Sequence, residues 1–343
     1  MLGYFFLSIL VCMVSQSGFR LRQFLRHITA VIVLATAGLC RPAWSFQADD
    51  QKPMRQHTLQ RSSVLEIAQQ PPARTTLSIA TANQLLSQAA AQFNAAEYQA
   101  AIAIWSRVVD AAPNQDARNQ ALIGRAKSYL VLSQPALALA DLALCQYEPN
   151  QSASLGELFL LTGVSRLQLK QYDEAIKAFS RAEKLIPNVA SLYSNRAVAY
   201  QSTGNMSAAR ADFQKSLTLQ QTMSTYYNLA VLERLSGNYA ACINILSQII
   251  SKQPDYAPVY VQRGLCFALQ GKHDEALTDM LKALKLDPAN VDAIQQIGYS
   301  LAAKGQHAGA RQALEKAAAL RLAAGQIEDY QKILAAMSRI PQQ

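Results

Sequence analysis

The sequence predicts an all-α solenoid of stacked antiparallel helical hairpins, and three observations predict it. A small residue followed four positions later by a large apolar one recurs at Ala101, Ala138, Ala175, Ala209, Cys242, Ala276 and Ala310, in steps of 37, 37, 34, 33, 34 and 34 residues. Twelve positions before each lies a second small residue (Ala89, Ala126, Gly163, Ala197, Ala230, Gly264, Gly298), itself four after a large apolar one. Breakers punctuate the pattern: Gly204, Gly237, Gly271 and Gly305 fall between the paired segments, and Pro113, Pro187, Pro254 and Pro288 follow the second of them. A period of this length, with helical spacing inside it, marks stacked supersecondary units.

Composition agrees. Half of the 343 residues are apolar and 16% are charged, which excludes a disordered chain. Fourteen Gly and twelve Pro exclude collagen-like and low-complexity classes, and five Cys are too few for a disulfide scaffold. The net charge of +9 raises nucleic acid or an anionic membrane as partners, so its location matters.

Residues 1–45 contain four Arg (Arg20, Arg22, Arg26, Arg41) and no acidic residue. Their apolar runs, 2–14 and 28–39, fall short of the ~20 residues a spanning helix needs. The second run follows a basic stretch and precedes Ala43 and Ser45, small residues at the −3 and −1 positions of a secretory cleavage site. We therefore expect a signal peptide, starting at Met1 or Met13 and cut between Ser45 and Phe46, with an uncleaved signal anchor as the alternative. Leu39 before Cys40 is too large for a lipid-attachment site. This places the chain in the periplasm or an equivalent lumen, or anchored in the inner membrane by this segment. Without residues 1–45 the net charge falls to +5, so the basic excess largely describes delivery. Residues 46–81, with Gln69-Gln70-Pro71-Pro72, are expected to form a flexible linker.

The repeat units follow, near 82–115, 119–151, 156–189, 190–222, 223–256, 257–290 and 291–324. Two helices approach closely only where small residues line the contact, and large apolar residues one turn away fill the groove to the next unit. Glycine suits the turn because it adopts positive φ without cost. Proline stops the second helix because it lacks an N–H. A single hairpin cannot bury its apolar face alone, so the units stack. Residues 325–343 close the chain as a capping helix and tail, with Ile327, Tyr330, Ile333, Leu334 and Met337 at helical spacing and a polar outer face expected.

This pattern resembles the tetratricopeptide repeat. The unit 257–290 matches nearly throughout, with Tyr260, Gly264, Phe267, Gly271, Ala276, Met280, Ala283 and Pro288. The first two units are weaker: Pro149 comes one residue early and Pro135 opens a second helix, where proline is tolerated. The fourth unit is one residue short and carries Gln221 where Pro is usual. The resemblance covers about 240 of the 343 residues. It implies a right-handed solenoid of the exported bacterial type, acting without catalysis as a protein-interaction scaffold.

No motif for catalysis, cofactor binding or metal binding stands out, and neither an enzyme nor a cofactor is expected. His273 and His307 share a repeat position, but helices ~8–10 Å apart cannot bring both to one zinc at ~2.1 Å. Cys145 and Cys242 replace small packing residues, and a thiol there behaves as a small hydrophobe. A Cys242–Cys266 bridge is one arrangement, since the second helix of one unit packs on the first helix of the next; free thiols are the other. Scattered charges are read as a solvated convex face.

In the family the first helix of each unit makes the inner face, where its second, fifth, sixth, ninth, twelfth and thirteenth residues lie together. The sixth position reads Ser87, Gly124, Leu161, Asn195, Asn228, Gln262 and Gln296. The last four units thus each present an amide, which can pair with both N–H and C=O of an extended peptide. Similar Asn ladders bind peptide backbones in the repeat superhelix of the O-linked N-acetylglucosamine transferase, although Asn is common at this position for structural reasons as well. Asn195, Asn228, Gln262 and Gln296 are the candidate peptide-binding groove.

The stretch Tyr193 to Tyr200 also resembles chaperone-binding adaptors that clamp a C-terminal carboxylate. That clamp needs Lys and Asn where this chain has Leu160 and Val164, and basic residues where it has Ser224 and Asn228. A carboxylate would be left unpaired, so this function is rejected. An RNA-binding helical-repeat protein would need a basic groove, whereas inner positions such as Val164, Val198, Val231 and Leu265 are apolar. The expected function is therefore a scaffold that binds extended peptides or partner helices in envelope or complex assembly. An accessory role in polysaccharide export or secretion is the alternative. The expected partner is a protein or peptide, with no nucleic acid and with membrane contact only through the N-terminal segment.

Overall fold

The computed structural model describes residues 76–341. The expected signal segment, the Ser45–Phe46 cleavage site and most of the linker lie outside the described residues. Fifteen helices and no strand form among the described residues. The seven hairpins are α1 (Ile79–Asn94) with α2 (Tyr98–Ala111), α3 (Gln115–Val131) with α4 (Pro135–Leu144), α5 (Ser152–Gln168) with α6 (Tyr172–Leu185), α7 (Ala190–Ser202) with α8 (Met206–Leu219), α9 (Met223–Leu235) with α10 (Tyr239–Lys252), α11 (Ala257–Leu269) with α12 (His273–Leu286), and α13 (Val291–Ala303) with α14 (His307–Ala323). A further helix, α15 (Ile327–Met337), closes the stack. Each helix packs on its sequence neighbours, and first helices also pack on the first helices of adjoining units. First helices therefore lie on the tighter, inner side of the stack.

The small residues make the seam. Ala101, Ala138, Ala175, Ala209, Cys242, Ala276 and Ala310 are all fully buried. Where the first helix contributes glycine, a large side chain of the partner helix occupies the missing side chain's place. A Cβ on Gly163 would lie 2.5 Å from Phe179 Cε1, and one on Gly298 would lie 2.6 Å from Leu314 Cγ.

The charged residues correct the expectation of a solvated convex face. Arg125, Arg196 and Arg263 each form a bidentate pair with the buried carboxylate sixteen residues later, Asp141, Asp212 and Asp279, at 2.6–3.0 Å. Each also donates to a serine of the preceding unit, Ser106, Ser180 or Ser247. These arginines join first helix, second helix and preceding unit inside the stack. Burial opposes the Arg196 charge, but hydrogen bonds to Asp212 and Glu183 outweigh it and raise its pKa above the ordinary value. Breaking such a pair from one side leaves a buried charge uncompensated, at a cost of ~3–5 kcal/mol.

The first three units differ from the last four. Their first helices have 16, 17 and 17 residues against 13 in α7, α9, α11 and α13. The extra turn lies at the N-terminus: α1, α3 and α5 begin at Ile79, Gln115 and Ser152, three or four residues before the expected boundaries of 82, 119 and 156. Ser78 and Asn114 cap two of these early starts, accepting from the amides of Thr81 and Ala117. This extra turn accounts for the 37-residue steps. The hairpin turns also differ, with Ala96, Ser133 and Lys170 at φ of 62°, 57° and 60° where later units use glycine.

At the other end, Ile333 is buried, with Tyr330 and Met337 packed beside it. Ile327 and Leu334 remain exposed, so the outer face of the cap is not wholly polar as expected. The helix is only 11 residues long, and Ile333 is its one buried residue. The tail continues past it: Ile340 is buried and its carbonyl accepts from Arg311 Nη2 at 3.0 Å.

Cys242 on α10 and Cys266 on α11 form a disulfide, with Cα atoms 6.7 Å apart, between the fifth and sixth units. Cys145 is free, and burial pushes its thiol pKa up to about 12. No helix among the described residues is long and apolar enough to cross a membrane.

Candidate functional site

The inner face is built by residues three or four apart on each first helix, which fall on one side at 3.6 residues per turn. Concavities lie along it, and two of them involve the sixth positions of the first helices. The smaller, about 240 Å³, sits between α11 and α13 and brings Gln262 and Gln296 together with Val261, Leu265, Asp292 and Gln295. Gln262 Oε1 accepts from Arg234 Nε at 3.0 Å. Gln296 Nε2 lies 3.5 Å from Ser300 Oγ. Asn195 and Asn228 do not line this concavity. Asn195 Nδ2 donates to the carbonyl of Ser191 on its own helix at 2.8 Å, and Asn228 is half-buried at the equivalent position of the next unit. The four amides thus share a repeat position, but the structure gathers only two of them into one cavity.

The larger concavity, about 610 Å³, lies over the first three units, where the sixth positions are Ser87, Gly124 and Leu161 rather than amides. Its floor is Leu86, Ile123 and Trp105, all nine-tenths or more buried. Trp105 reaches it because Gly124 has no side chain: a Cβ there would sit 2.5 Å from Trp105 Cε2. Phe93 and Ala90 form one wall. The rim comes from the extra helical turns and from the loop after α4. Asp116 and Ser154 lie on the added turns of α3 and α5, and Tyr147 lies in the loop. Asn119 holds that loop through both edges of its amide: Nδ2 donates to the carbonyl of Gln146 at 2.5 Å, and Oδ1 accepts the Gln146 N–H at 3.1 Å. Burial raises the Tyr147 hydroxyl pKa to about 12, so it stays neutral. Lys127 Nζ pairs with Glu157 Oε1 at 2.6 Å across the rim.

Sequence reasoning passed over Trp105, Tyr147 and Asp116. The one available signal was the three-residue excess in the first two steps. Leu160 and Val164, at two of the positions a carboxylate clamp would use, pack against the apolar cluster shared by the third and fourth units. Among the described residues no group of three or more His, Cys, Asp or Glu side chains could hold a metal ion.

Antiparallel helical hairpins stacked through small-residue seams, with a continuous inner face, define a helical-repeat solenoid. Profiles described as TPR repeat match residues 163–204, and those described as Tetratricopeptide repeat match 189–221 and 257–290. The chain is a tetratricopeptide-repeat protein, and proteins of this family are in general interaction scaffolds rather than catalysts. Among curated relatives, Superkiller complex protein 3 of Mus musculus is 30% identical over 156 residues, 44% of this chain and 10% of that protein. The Lipoprotein NlpI homolog of Haemophilus influenzae is 32% identical over 106 residues, 30% of this chain and 34% of that protein. The matches therefore span about a tenth to a third of these relatives' lengths. A tetratricopeptide repeat protein of Parabacteroides merdae superposes with a TM-score of 0.57 at 16% identity, covering 74% of this chain and 98% of that one. The C-terminal part of a TPR repeat-containing protein of Cytophaga hutchinsonii gives 0.51 at 17% identity, covering 68% and 95%. These structural likenesses establish the fold alone.

Proposed function

We propose that the chain is an exported, non-catalytic scaffold that holds an extended segment of a protein partner along its inner face during envelope or complex assembly. One observation carries this reading: the concave cavities are lined by the inner positions of the first helices, and polar amides stand beside apolar side chains there. Such a surface can pair with a peptide main chain while burying its side chains. Export draws support from the disulfide between Cys242 and Cys266, since oxidising compartments are where such bonds persist. It also draws support from the relative in Haemophilus influenzae, which is named as a lipoprotein. The test is capture of a partner from envelope fractions by the full chain. Asn195→Ala with Asn228→Ala, and separately Gln262→Ala with Gln296→Ala, should each weaken capture while leaving the urea unfolding midpoint nearly unchanged; undiminished capture by both would overturn the role of the amides. Recovery of no protein partner would overturn the scaffold reading.

A further inference from the structure

The cavity over the first three units has features that the amide ladder does not use. Its floor is apolar and wide, since Ser87, Ala90 and Gly124 stand where larger side chains would close it. Trp105 is 6% exposed, lines the cavity, and its indole N–H has no hydrogen-bond partner. The indole nitrogen itself exposes almost no surface, so what the cavity offers a ligand is the apolar ring of Trp105 and not its N–H. The volume, about 610 Å³, falls in the range of ligand sites and is far more than packing defects provide. The rim carries two carboxylates, Asp116 and Glu157, against one ammonium, Lys127, already paired with Glu157. Asp116 is exposed and engaged only by the neutral amide of Gln120 at 2.8 Å. With the Tyr147 hydroxyl neutral, one negative charge at the rim has no counter-ion.

We propose that this cavity seats one large aromatic side chain of a partner peptide, with a basic residue beside it in the peptide sequence meeting Asp116 at the rim. This rests on the groove reading and deepens it by naming the partner's chemistry. The aromatic ring covers Leu86, Ile123 and the face of Trp105. The adjacent lysine or arginine reaches the uncompensated carboxylate.

The test uses the full chain labelled with nitrogen-15, following the Trp105 indole N–H resonance, assigned by its loss in Trp105→Phe. The probe is N-acetyl-phenylalanyl-lysinamide. The Trp105 resonance should move in a saturable way at millimolar probe. The alanyl-lysine analogue should bind about tenfold or more weakly, as expected for losing a buried ring. The phenylalanyl-glutamate analogue should also bind more weakly, and Asp116→Lys should abolish the preference between the two. Ala90→Tyr fills the cavity from an exposed helix position, so the fold survives, and it should abolish the shift. An unmoved Trp105 resonance, equal binding of the alanyl analogue, or an unaffected Ala90→Tyr variant would each overturn the aromatic seat. Equal binding of the glutamate analogue would overturn the basic neighbour. Partner capture separates this proposal from the reading it rests on: loss with Asn195→Ala and Asn228→Ala but retention with Ala90→Tyr would leave the groove standing and remove the seat.

Discussion

Replacing glycine by alanine should change stability in opposite directions at two helical positions of this chain, and the seam geometry sets the sign. Gly→Ala inside a helix gains ~1 kcal/mol from propensity alone. At Gly309, on α14, a new Cβ would meet Leu301 Cδ1 at 3.4 Å, an ordinary contact, so most of that gain should survive. At Gly163, on α5, the Cβ would lie 2.5, 2.6 and 2.9 Å from three atoms of the Phe179 ring. Carbon atoms pack best at about 3.5–4.0 Å, so the ring must move by about 1 Å. Phe179 is fully buried between helices, so its movement spreads α5 from α6. Overpacking of this kind costs ~1–3 kcal/mol, and more where backbone must shift. We expect Gly309→Ala to stabilise by up to about 1 kcal/mol and Gly163→Ala to destabilise by about 1–2 kcal/mol. Gly264→Ala should fall between them, because the nearest obstacle, Met280 Cε at 2.8 Å, ends a flexible thioether. Urea unfolding of the full chain at constant m measures all three. A Gly163→Ala variant as stable as the wild type would refute the close-packed seam.

Three further outcomes follow from the same structure. Lys170 holds φ of 60°, which costs a side-chain-bearing residue ~1–2 kcal/mol, so Lys170→Gly should raise stability by about 0.5–1 kcal/mol in thermal unfolding while Lys170→Ala changes little. Hydrogen bonds from Arg196 and Arg210 hold Glu183 and Glu233 below the ordinary carboxylate range, so their stabilisation is present above about pH 4.5 and lost as pH falls through the lower folded-state values; Glu233→Gln should flatten the dependence of the urea midpoint between pH 6 and pH 3. A non-reduced digest should yield the Cys242 and Cys266 peptides joined in mass spectrometry, and reduction should lower stability by about 3.5 kcal/mol, the chain-entropy value for a loop of this size.

The helical seams were legible because their determinants are local. A small residue and its large partner four positions on recur with the hairpin, and nothing distant alters that relation. The arginine bridges were equally present in the sequence, as an Arg–Asp separation of sixteen in three units. They escaped because the charges were read singly, and a pair spanning a hairpin becomes visible only when the two helices are laid together. That the first helices make the inner face came with the family resemblance, and spacing said only which of their residues share it. The cavity beside Trp105 was not legible, because its depth depends on contacts between units: Trp105 of the first unit lies against Gly124 of the second, and Tyr147 is placed by Asn119. The polar cap was only partly right, since helical spacing says which residues share a face and not how much of that face a neighbour covers.

The contrast between the two halves of the groove bears on how a peptide could be held in register. Amides at one repeat position recur along the solenoid at the separation of neighbouring helices, ~8–10 Å. An extended peptide advances ~3.3 Å per residue, so a shift of three residues presents nearly the same main chain to the next amide. A ladder of this kind favours extended backbone but leaves several registers close in energy. In the proposed reading, a single cavity that does not repeat would break that degeneracy, because only one side chain of the peptide could occupy it at a time. The bidentate arginine pairs and the disulfide restrain the units between these parts, and a rigid frame makes the distance from seat to amides discriminating. Loosening the frame should therefore reduce selectivity among peptide registers before it reduces main-chain binding.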